Sequence, residues 1–313
     1  MSEPRAVSLA AQVGELRLAN PLLAASGCFG YGLECDPLLP PETFGAVVTK
    51  TITPLARAGN PMPRIAETPA GMLNSIGLEN VGLAAFLADK LPALAARGVA
   101  PVVSIAAGSA EEFAALAGRL AAAPQAIAAL ELNLSCPNLA PHGANFATDP
   151  LAVERVTRAV KDVFPRAPVW AKLSPNVADI GLVARAAEAA GADAVSAINT
   201  LVGMDIDLAT GRSPFARVTA GLSGPAIFPV ALAAVYRVAQ SVRIPVVAIG
   251  GAASTEMVLK FLAAGASAVQ LGTALYIDPG LPARVLAELA DALRARGCAD
   301  LKPLRAQWLE ASR

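Results

Sequence analysis

Eight short apolar runs, separated by segments of helical period, constrain this 313-residue sequence more than any other feature. They read "PLLAASG", "FGAVVTKT", "PVVSIAA", "AIAALELNLS", "PVWAKLS", "AVSAINT", "PVVAIGG" and "AVQLGTA". Each is rich in Val, Ile, Leu or Ala and too short to be a helix, so each reads as a strand buried on both faces of a parallel sheet. Between them, Phe113, Leu116 and Leu120 share one helical face, as do Val153, Val156 and Val160, while Ser254 offers an N-cap before Met257, Phe261 and Leu262. Eight strands alternating with helices favour a closed (β/α)8 barrel over an open doubly wound sheet. Residues 1–313 therefore read as a single barrel domain, with "AVSLAAQVGELRLAN" forming a β-hairpin around Gly14 that caps the end opposite the active face.

Composition excludes some partners. With 25 basic against 25 acidic groups, there is no charge excess to hold nucleic acid or an anionic membrane. Apolar stretches are broken by Pro, Gly or charge before the roughly 18–20 residues that a membrane span needs. The start, "MSEPRAVSLAAQVGELR", has no uninterrupted apolar core of a signal peptide, so the expected location is cytoplasmic. The four cysteines, Cys28, Cys35, Cys136 and Cys298, are too dispersed for zinc or iron–sulfur ligation, and any cluster would belong to another subunit. No metal site is expected on this chain.

In a (β/α)8 barrel, the C-terminal strand ends ring the active site. Here the runs finish on Ser26, Lys50, Ser104, Asn133 with Ser135, Lys172, Asn199, Gly250 with Gly251, and Gly272 with Thr273. Long connections at residues 52–80, 136–150 and 202–222 leave from the same rim and read as covers or interface elements. "GGAAST" and "GTALY" after the last two strands, with Gly224 in "GLSGPAIF", can present backbone N–H groups to a phosphate. Lys50 and Lys172 can serve as a Schiff-base nucleophile or as fixed charge beside a group that gains electrons. The amides of Asn74, Asn133, Asn138 and Asn199 suit a small planar ring bearing N–H and C=O groups. Cys136, in "LNLSCPNLAPHG", sits among polar residues where a strand breaks into a loop, which points to chemistry rather than packing. Cys28, Cys35 and Cys298 read as small packing or surface residues, and His142 as part of the loop over the site.

The ordered motifs "ASGCFGYG", "VVTKTIT", "GNPMPRIAETPAGMLNSIGLEN", "NLSCPN", "AKLSPN", "INT", "GLSGPAI", "AIGG" and "QLGTALYIDP" resemble the class 1 dihydroorotate dehydrogenases across nearly the whole chain. The resemblance implies FMN, with its phosphate at Gly224, Gly250, Gly251, Gly272 and Thr273. It puts the ring near Ala25, Ser26, Gly27, Lys50 and Lys172, with Thr51, Ser104, Asn133, Ile198 and Ser223 completing the cofactor set. Lys172 would face the N1/O2 edge. The substrate set would be Lys50, Asn74, Ile76, Gly77, Leu78, Asn133, Asn138, Asn199 and Thr200. Cys136 would take the C5 proton of dihydroorotate while hydride leaves C6 for flavin N5, with Lys50 as the other catalytic residue.

Cysteine rather than serine in "NLSCPN" speaks against the quinone-linked class, and "HGANFATDP" resembles the NAD-linked type, class 1B. That type implies a homodimer core with an electron-transfer flavoprotein subunit carrying FAD and a 2Fe-2S cluster, a heterotetramer. Phe228 and Ala252 depart from the family's usual lysine and isoleucine. A fumarate-linked class 1A homodimer, an FMN-dependent dihydropyrimidine dehydrogenase subunit, a Schiff-base aldolase and a non-catalytic flavin scaffold are the competing readings.

Overall fold

The computed structural model describes residues 7–135 and 146–303. The runs become the strands Leu22–Ala24, Ala46–Val47, Val102–Ile105, Ala129–Asn133, Val169–Leu173, Ala194–Ala197, Val246–Ile249 and Ala268–Leu271, called here the first to eighth barrel strands. They form one eight-stranded parallel sheet in which the eighth pairs with the first through Val269↔Leu22. The remaining seam, between the second and third, is spanned by parallel bridges Val48↔Val102 and Ile52↔Ile105, so the sheet curls round on itself as a (β/α)8 barrel.

Helices Ala110–Ala121, Pro150–Val163, Ile180–Ala189, Phe228–Ser241, Thr255–Ala263 and Leu281–Ala295 pack outside the strands. The faces read from periodicity are the buried ones: Phe113, Leu116 and Leu120 on one helix, Val153, Val156 and Val160 on the next. Ser109 and Ser254 accept from the backbone N–H three residues on, and Asp149 and Asp179 from the one two residues on. Each such cap contributes on the order of 1 kcal/mol. After the first strand, only the 3-10 turn Pro41–Thr43 stands in for a helix.

The N-terminal hairpin, Ala11–Val13 with Leu16–Leu18, closes the bottom of the barrel. Its Val13 and Leu18 join Leu23, Val48, Val102, Trp170 and Val247 in an apolar cluster inside the barrel. At the opposite rim the first and third long connections pair with each other. Strands Ile65–Thr68, Gly71–Asn74, Ala220–Ser223 and Leu201–Gly203 make a four-stranded antiparallel sheet across the C-terminal mouth, held through Gly221↔Asn74 and Leu222↔Leu73. Leu73, Phe215 and Ala220 form its own small core. Among the described residues, no helix is long and apolar enough to cross a membrane.

Candidate active site

Below the rim sheet lies a cavity of about 380 Å³, and beside it a smaller one of about 80 Å³. The strand ends converge on them. Ser26, Gly27, Lys50, Thr51, Asn133, Lys172, Asn199 and Thr200 line the larger cavity, as do Asn74, Ile76, Gly77 and Leu78 from the rim connection. Ala25, Ile198, Gly224, Gly250, Gly251, Gly272 and Thr273 line the smaller. Ser26, Lys172, Asn199, Thr200 and Ser223 border both. Ser104 borders neither: it is fully buried behind Thr51, whose Oγ1 lies 2.9 Å from its hydroxyl. Cys136, Asn138 and His142 lie outside the described residues.

Hydrogen bonds fix much of this wall. Thr51 Oγ1 also lies 3.3 Å from Ser26 Oγ and accepts from Asn133 Nδ2 at 3.3 Å. Asn199 Nδ2 donates to Asn133 Oδ1 (3.2 Å), and its own Oδ1 accepts from Thr200 N (2.9 Å). Asn74 Nδ2 donates to Gly221 O across the rim sheet. Each primary amide keeps bonding capacity after these contacts, so the three amides are oriented and still able to read a ring. The backbone from Ile76 to Leu78 is clamped by Asn60, which bonds Ser75 through its side chain and Ile76 O through its N–H. Gly77 (φ 75°) and Leu78 (φ 59°) both take left-handed conformations there, which for leucine is rare outside a site that over-determines it.

The cavity is cationic. Lys50, Lys172 and Arg217 line it, and no Asp or Glu among the described residues does. The segment 136–145, "CPNLAPHGAN", contains none either. Lys50 makes no ion pair among the described residues, and burial pushes its pKa down, opposed by nearby Cys28. Lys172 is 6% exposed and lies 3.3 Å from Glu131 Oε2, itself fully buried. Cys28 is on the wall of both cavities, and burial raises its thiol pKa against the effects of Tyr276, Lys172 and Lys50.

Glycine backbone lines the smaller cavity. Gly224, Gly250 and Gly251 have φ of 92°, 130° and 78°. A Cβ on Gly251 would stand 2.7 Å from Gly224 O and 2.8 Å from Phe228 N, and one on Gly224 2.7 Å from Gly71 Cα. Thr273 Oγ1 donates to Ser223 Oγ at 2.9 Å beside them. The backbone of Gly71, Gly224, Gly251 and Phe228 thus crowds together where only glycine fits, and such backbone can present N–H groups to a phosphate. A cradle of this kind, a charged lysine at the junction and a wider amide-lined cavity beyond fit the phosphate and ring of FMN.

The sequence model of the dihydroorotate dehydrogenase family matches residues 8–293. The chain belongs to the dihydroorotate dehydrogenase family. It is 48% identical over 286 residues to "Dihydroorotate dehydrogenase B (NAD(+)), catalytic subunit" of Solidesulfovibrio magneticus, covering 91% of this chain and 93% of that protein. Proteins of the same name from Trichlorobacter lovleyi (46%; 95% and 97% covered) and Geobacter sulfurreducens (47%; 95% and 96%) are similarly close. Members of the dihydroorotate dehydrogenase family are oxidoreductases that use FMN, and the matches do not favour the aldolase or dihydropyrimidine readings.

Several wall residues escaped the sequence reading. Cys28 was expected to pack or lie at the surface, and its place between Gly27 and Phe29 carries no local signal for the cavity. Arg217 lies in a long connection whose fold depends on pairing with another. Glu131, which backs Lys172 without lining either cavity, did leave a signal, a lone carboxylate inside the apolar run "AIAALELNLS". Phe228 is buried with its ring edge-on to Phe261, the centroids 5.1 Å apart, so it serves the outer core.

Proposed function

We propose that this chain is the catalytic subunit of an NAD-linked dihydroorotate dehydrogenase, oxidising (S)-dihydroorotate to orotate in pyrimidine biosynthesis. The observation that carries the reading is the pairing of two cavities through Lys172: a glycine cradle on one side, and on the other a cationic, amide-lined space without a carboxylate among the described residues. A planar ring with N–H and C=O groups meets Asn74, Asn133 and Asn199, and its carboxylate meets Lys50 and the backbone from Ile76 to Leu78. Asn138 completes the amide set. Gly224, Gly250, Gly251, Gly272 and Thr273 would hold the phosphate of FMN, which when bound would supply the acceptor for the hydride from C6. Cys136 takes the C5 proton, and does so better as rising pH turns its thiol into thiolate. Lys172 places positive charge where the reduced ring gathers negative charge.

Electrons then leave through a partner carrying FAD and a 2Fe-2S cluster to NAD, in an assembly built on a homodimer of this chain. The names of the relatives support this, being catalytic subunits of NAD(+)-linked enzymes. Co-expression with the flavoprotein subunit tests it: NAD reduction by dihydroorotate should require both chains, and turnover with fumarate by this chain alone would refute it.

A further inference from the structure

One buried ionisable side chain has no part in the proposed chemistry, and its surroundings are unusual. Glu131 is fully buried inside the barrel on the fourth strand, two residues below Asn133 and on the same face. Its Oε1 accepts from Ser196 Oγ on the sixth strand (2.8 Å) and from Gln270 Nε2 on the eighth (2.7 Å). Its Oε2 has no hydrogen bond among the described residues and lies 3.3 Å from Lys172 Nζ on the fifth strand. Two neutral donors therefore fix one oxygen and leave the other directed at the ammonium.

A carboxylate at the centre of a barrel is a poor stabilising device. Its desolvation cost offsets the ion-pair gain, and apolar packing does as well or better. The layer below shows that this barrel can be apolar inside, with Leu23, Val102, Trp170 and Val247 filling it. The ammonium that Glu131 faces borders both cavities. Lys50, the other lysine on the cavity wall, has no such counter-ion among the described residues, and burial depresses its pKa. Of the two, Lys172 alone faces a carboxylate among the described residues.

We propose that Glu131 is a positioning residue for Lys172: pinned by Ser196 and Gln270, it holds the ammonium aimed at the junction of the cavities, and so sets the charge felt by the pyrimidine edge of the flavin. This rests on the flavin reading above. The sign of its effect separates the role from that of a bystander. Removing a negative charge near a flavin raises the flavin's reduction potential if nothing else changes, because the reduced form is the more anionic. Removing the anchor of the ammonium lowers it, because the reduced form loses its counter-charge.

The test is a double-mutant cycle on the FMN-loaded protein with E131Q, K172M and the pair, reading the midpoint potential of bound FMN and the FMN dissociation constant. Glutamine keeps the shape and still accepts from Ser196. E131Q should favour reduced FMN at least tenfold less than the wild type, about 30 mV more negative for two electrons. In the K172M background the same change should do nearly nothing. An unchanged or raised potential in E131Q, or an equal drop with and without Lys172, overturns the proposal. E131D retains the charge but withdraws it by one methylene; it should show a smaller drop of the same sign, and wild-type behaviour there also overturns it.

A readout without flavin accompanies these. In the apo chain, the ¹⁵N signal of a slowly exchanging buried ammonium should be present in the wild type and absent from both K172M and E131Q. Its persistence in E131Q refutes the anchoring. Wild-type protein that takes up no FMN overturns the flavin reading and the proposal together, whereas a flavin-loaded wild type with an indifferent E131Q overturns the proposal alone.

Discussion

Gly251→Ala puts the phosphate cradle to a quantitative test. Gly251 has φ of 78°, and a methyl there meets Gly224 O at 2.7 Å, Phe228 N at 2.8 Å and Phe228 Cβ at 2.9 Å. Two of these are backbone atoms and cannot rotate aside. The left-handed conformation costs a non-glycine residue about 1–2 kcal/mol, and overpacking of this kind about 1–3 kcal/mol. The strain is relieved by opening the gap between Gly224 and Gly251, two residues of the proposed anion site. If the roughly 2–5 kcal/mol falls on the bound state, FMN affinity drops by about thirty-fold to a few thousand-fold, at about 1.4 kcal/mol per tenfold. Gly98→Ala is the control, with φ of 71° and nothing within 4 Å of the added methyl. It should cost stability by the conformational part alone and leave FMN binding unchanged. Flavin fluorescence quenching on titrating apo-protein gives the affinities, and thermal unfolding of the same samples gives the stabilities. FMN binding by Gly251→Ala within threefold of the wild type, at an unchanged melting temperature, would refute the cradle.

Other expectations concern the wider cavity. Lys50→Met should raise KM for dihydroorotate at least tenfold. Because burial lowers the pKa of Lys50, the folded wild type bears the full cost of its charge below that lowered pKa and sheds it as pH rises through it. Apo Lys50→Met should therefore melt a few degrees higher than wild type at neutral pH, with the gap closing towards alkaline pH; a constant or widening gap in a melting series contradicts this. Arg217→Ala should raise KM a few-fold with little change in kcat and flatten the salt dependence of kcat/KM, which stopped-flow reduction at varied ionic strength would show. Cys136→Ser should lose at least a hundredfold in flavin reduction at neutral pH and recover partly at high pH, because a hydroxyl is a weaker base than a thiolate. Near-normal reduction at neutral pH would remove Cys136 from the base role.

Much of the barrel was legible because its strands are buried on both faces, so "PVVSIAA" or "PVVAIGG" shows a continuous apolar run ended by glycine or a small residue. The second strand shows the limit. "FGAVVTKT" reads as a full strand, yet only Ala46–Val47 pairs continuously, and the seam to the third strand rests on two isolated bridges. Lys50 and Asn199, which line the larger cavity, were legible as strand-end residues because they follow directly on such runs. The rim sheet was not, because its register joins Asn74 to Gly221 across 147 residues and no local pattern encodes that pairing. Arg217 reaches the cavity through that sheet. Cys28 is placed by the turn after the first strand, where its sulfur comes within 3.3 Å of the position a Cβ on Gly272 would take, a contact set by barrel closure.

The most direct test of the central claim is the anaerobic visible spectrum of the purified, FMN-loaded chain before and after adding dihydroorotate. A flavin band near roughly 450 nm should bleach within the dead time of manual mixing, and dihydrouracil, which lacks the carboxylate that Lys50 would meet, should leave it nearly unchanged. A flavin that dihydroorotate does not bleach, or that dihydrouracil bleaches as readily, would contradict the assignment of this cavity to a carboxylated dihydropyrimidine.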